Sequence, residues 1–180
     1  MKHNVSVRQL YQSEDNYTYS HMCEQAILAW VCTRRSIDPS EIIMAPDGYH
    51  PQYDASVRGI KYEIKFTKYS QIQIEYARYD GTPSALSLSE ADHYLMISSG
   101  RSKVNGQWMD VGKVRLYDKN YLVKEAKKQI DIGNIVAYKP SPSGPGSLNV
   151  QFNPKLLIDD WVGDIEMNVT EAGTIFSFEV

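Results

Sequence analysis

The clearest pattern in the chain runs from Tyr53 to Phe66. Tyr53, Ala55, Val57, Ile60, Tyr62, Ile64 and Phe66 form one apolar set, and Asp54, Ser56, Lys61, Glu63 and Lys65 form the opposite, polar set. This period of two on both sides of Arg58-Gly59 predicts a hairpin with one packed face. The tip is unusual, because arginine disfavours the positive φ that a two-residue primed turn requires. Upstream, Met22, Ala26, Ala29 and Trp30 follow three/four spacing, and Ile27, Leu28 and Val31 widen the stripe, so residues of about 19 to 34 read as a buried helix.

Weaker signals fill in the rest. Glu41 to Met44, Gln71 to Tyr76, His93 to Ser98, Lys113 to Tyr117, Asn134 to Tyr138, Asn149 to Phe152 and Thr174 to Val180 read as strands. Ser89-Glu90-Ala91-Asp92 has the form of a capped helical turn, with Ser first and a carboxylate three later. Asn120 to Ile130 is amphipathic, with Lys124, Lys127 and Lys128 on one face, and Pro154 to Trp161 reads as a short helix opened by proline. Helices and strands therefore mix, with a helix before the first strands. The expected class is α/β (α+β), a central mixed sheet flanked by helices. At 180 residues the chain is expected to form a single domain, with a core of about 19–138 and an extension over 139–180.

Composition narrows the chemistry. No run approaches the roughly 18–20 apolar residues that span a bilayer, and the N-terminal residues lack the apolar centre of a secretory signal, so a cytoplasmic protein is expected. Cys23 and Cys32, nine residues apart on one helix, would lie roughly 13 Å apart, too far to bridge, and read as reduced core thiols. The net charge is −3, but it is unevenly spread. Residues 158–180 carry six acids and no Lys or Arg, whereas Arg58 to Lys139 holds fourteen basic against nine acidic residues. That surplus surrounds the hairpin and is compatible with phosphate binding.

In hairpin register, Val57 meets Ile60, Ser56 meets Lys61, Ala55 meets Tyr62, and Asp54 meets Glu63. Two carboxylates directly opposite are destabilising unless their pKa values separate or a cation lies between them. Lys65 shares their face. Two carboxylates and a lysine converging there make a site for a divalent cation and an anionic substrate. Mg²⁺, for which Mn²⁺ would substitute, takes oxygen ligands and keeps several waters; Asp54, Glu63 and the Ile64 carbonyl supply three oxygens. A metal-bound water is a better nucleophile, and Lys65 would stabilise the charge that develops on a phosphoryl group. Lys61, Lys68 and Arg78, with Gln73, flank the site as expected nucleic-acid contacts, and Gln73 and Glu75 alternate onto one strand face.

The pattern Asp54…Glu63-Ile64-Lys65 on adjacent strands, preceded by a helix, resembles the PD-(D/E)xK nuclease superfamily. The segment Gly81-Thr82-Pro83-Ser84…Ser89-Glu90-Ala91-Asp92-His93-Tyr94 is similar to the stretch after the motif in small phage-type members. The likeness covers residues 19–98. It implies a restriction-endonuclease-like mixed sheet, Asp54, Glu63 and Lys65 as catalytic residues, Asp54, Glu63, Ile64 and Glu24 as metal ligands, and DNA as partner. Glu24 matches a further Glu that many members carry on the first helix. The literal Pro46-Asp47 reads as a turn and makes Asp47 the lesser alternative to Asp54. The Gln-x-x-x-Tyr of the RecB-like branch is not reproduced, because Gln73 and Tyr76 are three apart.

The expected function is thus a Mg²⁺-dependent endonuclease acting on DNA phosphodiesters, with a homodimer as one way to cut two strands. A non-catalytic nucleic-acid-binding or assembly module on the same fold is the alternative. A carbohydrate-active enzyme using Asp54 and Glu63 as its acid pair is a third reading, disfavoured by Lys65 and the basic surroundings. No P-loop and no Gly-x-Ser-x-Gly turn is present.

Overall fold

A computed structural model describes residues 1–11, 17–46, 52–142, 144–157 and 159–180. The described residues begin with a strand and a short helix, β1 (Lys2–Ser6) and α1 (Val7–Tyr11), followed by the long helix α2 (Tyr17–Arg34). A meander comes next, β2 (Ile42–Met44), β3 (Ala55–Val57) and β4 (Ile60–Phe66), then β5 (Ile72–Arg78). A long hairpin, β6 (His93–Val104) and β7 (Gln107–Asp118), leads into α3 (Lys119–Asp131). The chain ends with β8 (Ile135–Tyr138), β9 (Ser147–Phe152), β10 (Asp160–Thr170) and β11 (Gly173–Glu179).

The hairpin forms in the predicted register, with Ala55 opposite Tyr62, Ser56 opposite Lys61 and Val57 opposite Ile60. Its tip takes the disfavoured geometry. Arg58 has φ 51° and Gly59 φ 81°, and the Arg58 guanidinium is anchored by two hydrogen bonds to Glu41, at 2.5 and 2.6 Å. A forked pair of this kind holds the side chain of the strained residue in one place. The register ends at Asp54, however. Its N–H donates to the Tyr62 carbonyl at 2.8 Å, a one-residue slip, so Asp54 does not stand directly opposite Glu63.

Eight strands form a mixed sheet in the order β1-β11-β10-β7-β6-β4-β3-β2, in which β4 and β6 are parallel and the other pairs antiparallel. A second sheet, β5-β9-β8, packs on one face with α3. The other face covers α2, with Cys23, Ile27, Trp30 and Val31 of the helix buried among Ile64, Phe66, Leu95, Ile97, Phe176 and Phe178. β6 is buried on both sides: Leu95 and Ile97 face α2, whereas Tyr94 and Met96 face the small sheet. In the same register Glu63 pairs with Tyr94 and Lys65 with Met96, so Glu63 and Lys65 point toward the small sheet.

Several expectations are corrected. Met22 is 63% exposed, and the buried stripe of α2 runs through its neighbour Cys23 instead. Residues 89–92 are not a helical turn. The Ser89 hydroxyl accepts the Ala91 N–H and donates to the Gln52 carbonyl, and the Asp92 carboxylate takes the Lys61 N–H, so these side chains staple loops together. The 3₁₀ turn lies earlier, at Ala85–Ser87. The predicted helix from Pro154 shrinks to the 3₁₀ turn Pro154–Leu156, because residues from Asp160 are drawn into β10 between β7 and β11. Residues 139–180 supply β9, β10 and β11, two of them inside the large sheet. No helix among the described residues is long and apolar enough to cross a membrane.

Leu95 is fully buried where β6 meets β4 and α2. Leu95→Ala is expected to lower unfolding free energy by about 2–5 kcal/mol, measured by urea denaturation with an unchanged m-value.

Candidate active site

The two sheets do not close on each other along β4. A cleft of about 460 Å³ opens there, lined by Glu63 and Lys65 from the large sheet, by Asp54 just before β3, and by Gln73, Glu75 and Asn149 from the small sheet. The first half of α2 forms another wall with Tyr17, Ser20, His21 and Glu24. These four lie on one flank of the helix, at the three/four spacing that brings side chains together. Each predicted member of the catalytic set, and Glu24, therefore reaches one cleft.

Glu63 sits at the bottom, only 8% exposed. Its Oε1 is 2.5 Å from the Lys65 ammonium, whereas its Oε2 is buried without a hydrogen-bond partner. Asp54 owes its position to the slipped register. β3 has not yet begun, and the Asp54 carboxylate accepts the Ile64 N–H at 2.6 Å where a strand partner is missing. The N–H and C=O of a strand residue point to the same edge, so the Ile64 carbonyl is directed to the same side as Asp54. Glu24 accepts the Ser20 hydroxyl at 2.9 Å.

The electrostatics stem from this crowding. Burial raises the pKa of Glu63; Lys65 works against that rise, and Asp54 adds to it. Burial and then the Asp54 charge push Glu24 up to about 7, with Ser20 and Lys65 opposing them. Burial alone would lower the Lys65 pKa, but Glu63 and Asp54 more than offset it and hold the ammonium well above its ordinary range. The site is thus short of positive charge, with Lys65 as its internal counter-ion.

A divalent cation fits this donor set in one respect. The orphaned Oε2 of Glu63, Asp54 and the Ile64 carbonyl are oxygen donors, the chemistry that a hydrated Mg²⁺ or Mn²⁺ takes. As they stand, no three His, Cys, Asp or Glu side chains among the described residues are gathered closely enough to hold an ion by themselves. The arrangement suits a cation that keeps several waters, not an all-protein cage.

The flanking residues divide. Gln73 and Glu75 line the cleft as expected from their alternation. Lys68 lies farther along, in an adjoining cleft. Lys61 is placed elsewhere, 2.9 Å from Glu90 with its ammonium 4.8 Å from the centre of the Tyr53 ring. Arg78 ends β5 and lines neither cleft. Lys128 pairs with Glu125 on α3. Asp47 lies outside the described residues. Sequence reasoning missed Tyr17, His21 and Asn149. The first two carried a signal, the polar stripe Tyr17-Ser20-His21-Glu24, but Asn149 reaches the cleft only through the pairing of β9 with β5.

No family profile matches the chain, and no curated protein or solved structure is significantly similar to it.

The raised Glu24 pKa has a thermodynamic consequence. Between 4.5 and about 7 the folded state holds a proton on Glu24 that the unfolded state has released, so stability falls as pH rises through that window. The melting temperature of metal-free protein is expected to decline across it. Glu24→Gln should flatten the decline in part, because Glu63 shifts in the same direction.

Proposed function

We propose that this chain is a divalent-metal-dependent nuclease that hydrolyses DNA phosphodiester bonds, with Asp54, Glu63 and Lys65 as its catalytic residues. The observation that carries the reading is the buried Glu63 carboxylate, with one oxygen on Lys65 and the other unpartnered, in a cleft shared with Asp54. A group in that state is a ligand waiting for positive charge. A helix ahead of the antiparallel hairpin, within a mixed α/β fold, is compatible with this reading.

Asp54, Glu63 and the Ile64 carbonyl would hold the cation, with Glu24 on the opposite wall. When bound, the metal neutralises phosphoryl charge and supplies an activated water. The slipped register fixes Asp54, since its carboxylate is held by a backbone N–H. Lys65 has two duties. Without metal it balances Glu63; with metal and substrate present, its ammonium can turn to the phosphate, because Lys65 lines the walls of both clefts. Glu24, protonated near neutrality, can release its proton as a cation arrives, which links metal affinity to pH.

One observation favours the non-catalytic alternative. Lys65 already satisfies part of Glu63, so the same cleft is stable without a cation. The two readings separate in a cleavage assay on plasmid and short linear DNA, with Mg²⁺ and with EDTA. Cleavage is expected only with the cation, and Glu63→Gln or Lys65→Met should lower it by about 100-fold or more without loss of fold. Absence of cleavage in any cation, or full activity in either variant, would refute the nuclease. In a separate thermal-shift measurement, Mg²⁺ is expected to raise the melting temperature of the wild type and to leave Glu63→Gln nearly unmoved.

A further inference from the structure

The catalytic cleft continues into a second one, of about 760 Å³, and the two share Tyr11, Lys65, Gln73 and Asn149 in their walls. Their characters differ. The first holds Glu24, Asp54, Glu63 and Glu75 against Lys65. The second holds Arg8, Lys65 and Lys68 against Glu171, with Tyr69 and Tyr138 at its sides. One crevice thus has an acidic half that collects cations and a basic, aromatic half beyond it, joined at Lys65.

Three features of the basic half point to one class of ligand. Tyr69 is 56% exposed and Tyr138 48%, so two flat rings are offered to solvent beside the groove. Each is held in place: the Lys68 ammonium lies 5.2 Å from the centre of the Tyr69 ring, and the Tyr138 hydroxyl donates to Gln73 at 2.8 Å. Third, Glu63 at the acidic end is only 8% exposed, so a polynucleotide must enter between β4 of one sheet and β5 and β9 of the other to reach it, which a flexible single strand does more readily than a stiff duplex. Fixed rings for stacking and cations for the backbone are what single strands require.

We propose that this crevice binds a single-stranded polynucleotide, its bases stacked on Tyr69 and Tyr138 and its phosphates led past Arg8 and Lys68 to Lys65. This rests on the nuclease reading for what happens at the acidic end, and it narrows the substrate to single strands, flaps or frayed ends. The basic half is a binding groove in its own right, so it can be tested with the acidic half idle.

The measurement is fluorescence anisotropy of the full chain in EDTA, where nothing is cut, with a labelled DNA strand of about 12 nucleotides, the RNA strand of the same sequence, and the blunt DNA duplex. The single strands are expected to bind about tenfold or more tighter than the duplex, and Tyr69→Ala or Tyr138→Ala to weaken them by about tenfold, with Tyr69→Phe restoring affinity and Tyr138→Phe restoring part of it. The DNA and RNA arms show which sugar is preferred, and tight binding of either supports the groove. Lys68→Gln should reduce the salt dependence of binding. Both tyrosines are exposed, so the alanine variants should keep the wild-type melting temperature. Duplex binding equal to or tighter than single-strand binding, undetectable single-strand binding, or alanine variants that bind like the wild type would overturn the proposal. Cleavage with Mg²⁺ is scored separately. A protein that binds single strands through these tyrosines and cuts nothing loses the nuclease and keeps the groove, whereas one that cuts duplexes without preferring single strands does the reverse.

Discussion

A carboxylate at the bottom of a crevice between two sheets must be met by positive charge, and in this fold the Lys65 ammonium meets Glu63. Both come from β4, two residues apart, so the pair is intrinsic to one strand and forms wherever that strand is buried on this side. What surrounds the pair gives it chemical meaning. Asp54 and Glu24 add negative charge to the same space, and one Lys65 cannot balance three carboxylates. The raised Glu24 and Glu63 pKa values express that deficit.

The second determinant is a backbone irregularity. Had the hairpin ladder continued one step, Asp54 and Glu63 would stand directly opposite and repel. The slip at Asp54 avoids this and uses the carboxylate to satisfy the Ile64 N–H that the short strand leaves open. One device therefore caps a strand edge, separates two like charges and directs a carboxylate and a carbonyl to a common side. The arginine at the hairpin tip belongs to the same economy of short strands, since its pairing with Glu41 holds a turn conformation that its backbone disfavours.

The small sheet decides what reaches this chemistry. It roofs the cleft with Gln73, Glu75 and Asn149 and leaves a continuous path toward Lys68, Tyr69 and Tyr138. Gln73, Asn149 and Tyr138 of that roof lie where the two sheets stay apart. The packed core resumes on either side, at Phe66, Leu95 and Ile97 behind the site and at Ile72, Val150 and Phe152 within the roof.

Much of this was legible from residue order alone. The helix, the hairpin register and the convergence of Glu63 and Lys65 derive from periods of 3.6 and two, which are local properties of the backbone. The grouping of Glu24 with them was implied by resemblance and by its place on the helix. Asn105-Gly106 turns the longest hairpin, with φ 49° and 84°, and its strands run twelve residues on each side, well beyond the segments His93 to Ser98 and Lys113 to Tyr117 that residue order predicts. Other features were beyond any local reading. β10 contains Gly163 and a register shift between Trp161 and Gly163, which blurs its alternation, and it is a strand because β7 and β11 pair with it. The slip at Asp54, the diversion of Lys61 to Glu90 and the arrival of Asn149, Tyr69 and Tyr138 along one crevice depend on pairings between segments far apart in the chain. Periodicity specifies which face a side chain is on; only the packing of one sheet against another specifies what that face meets.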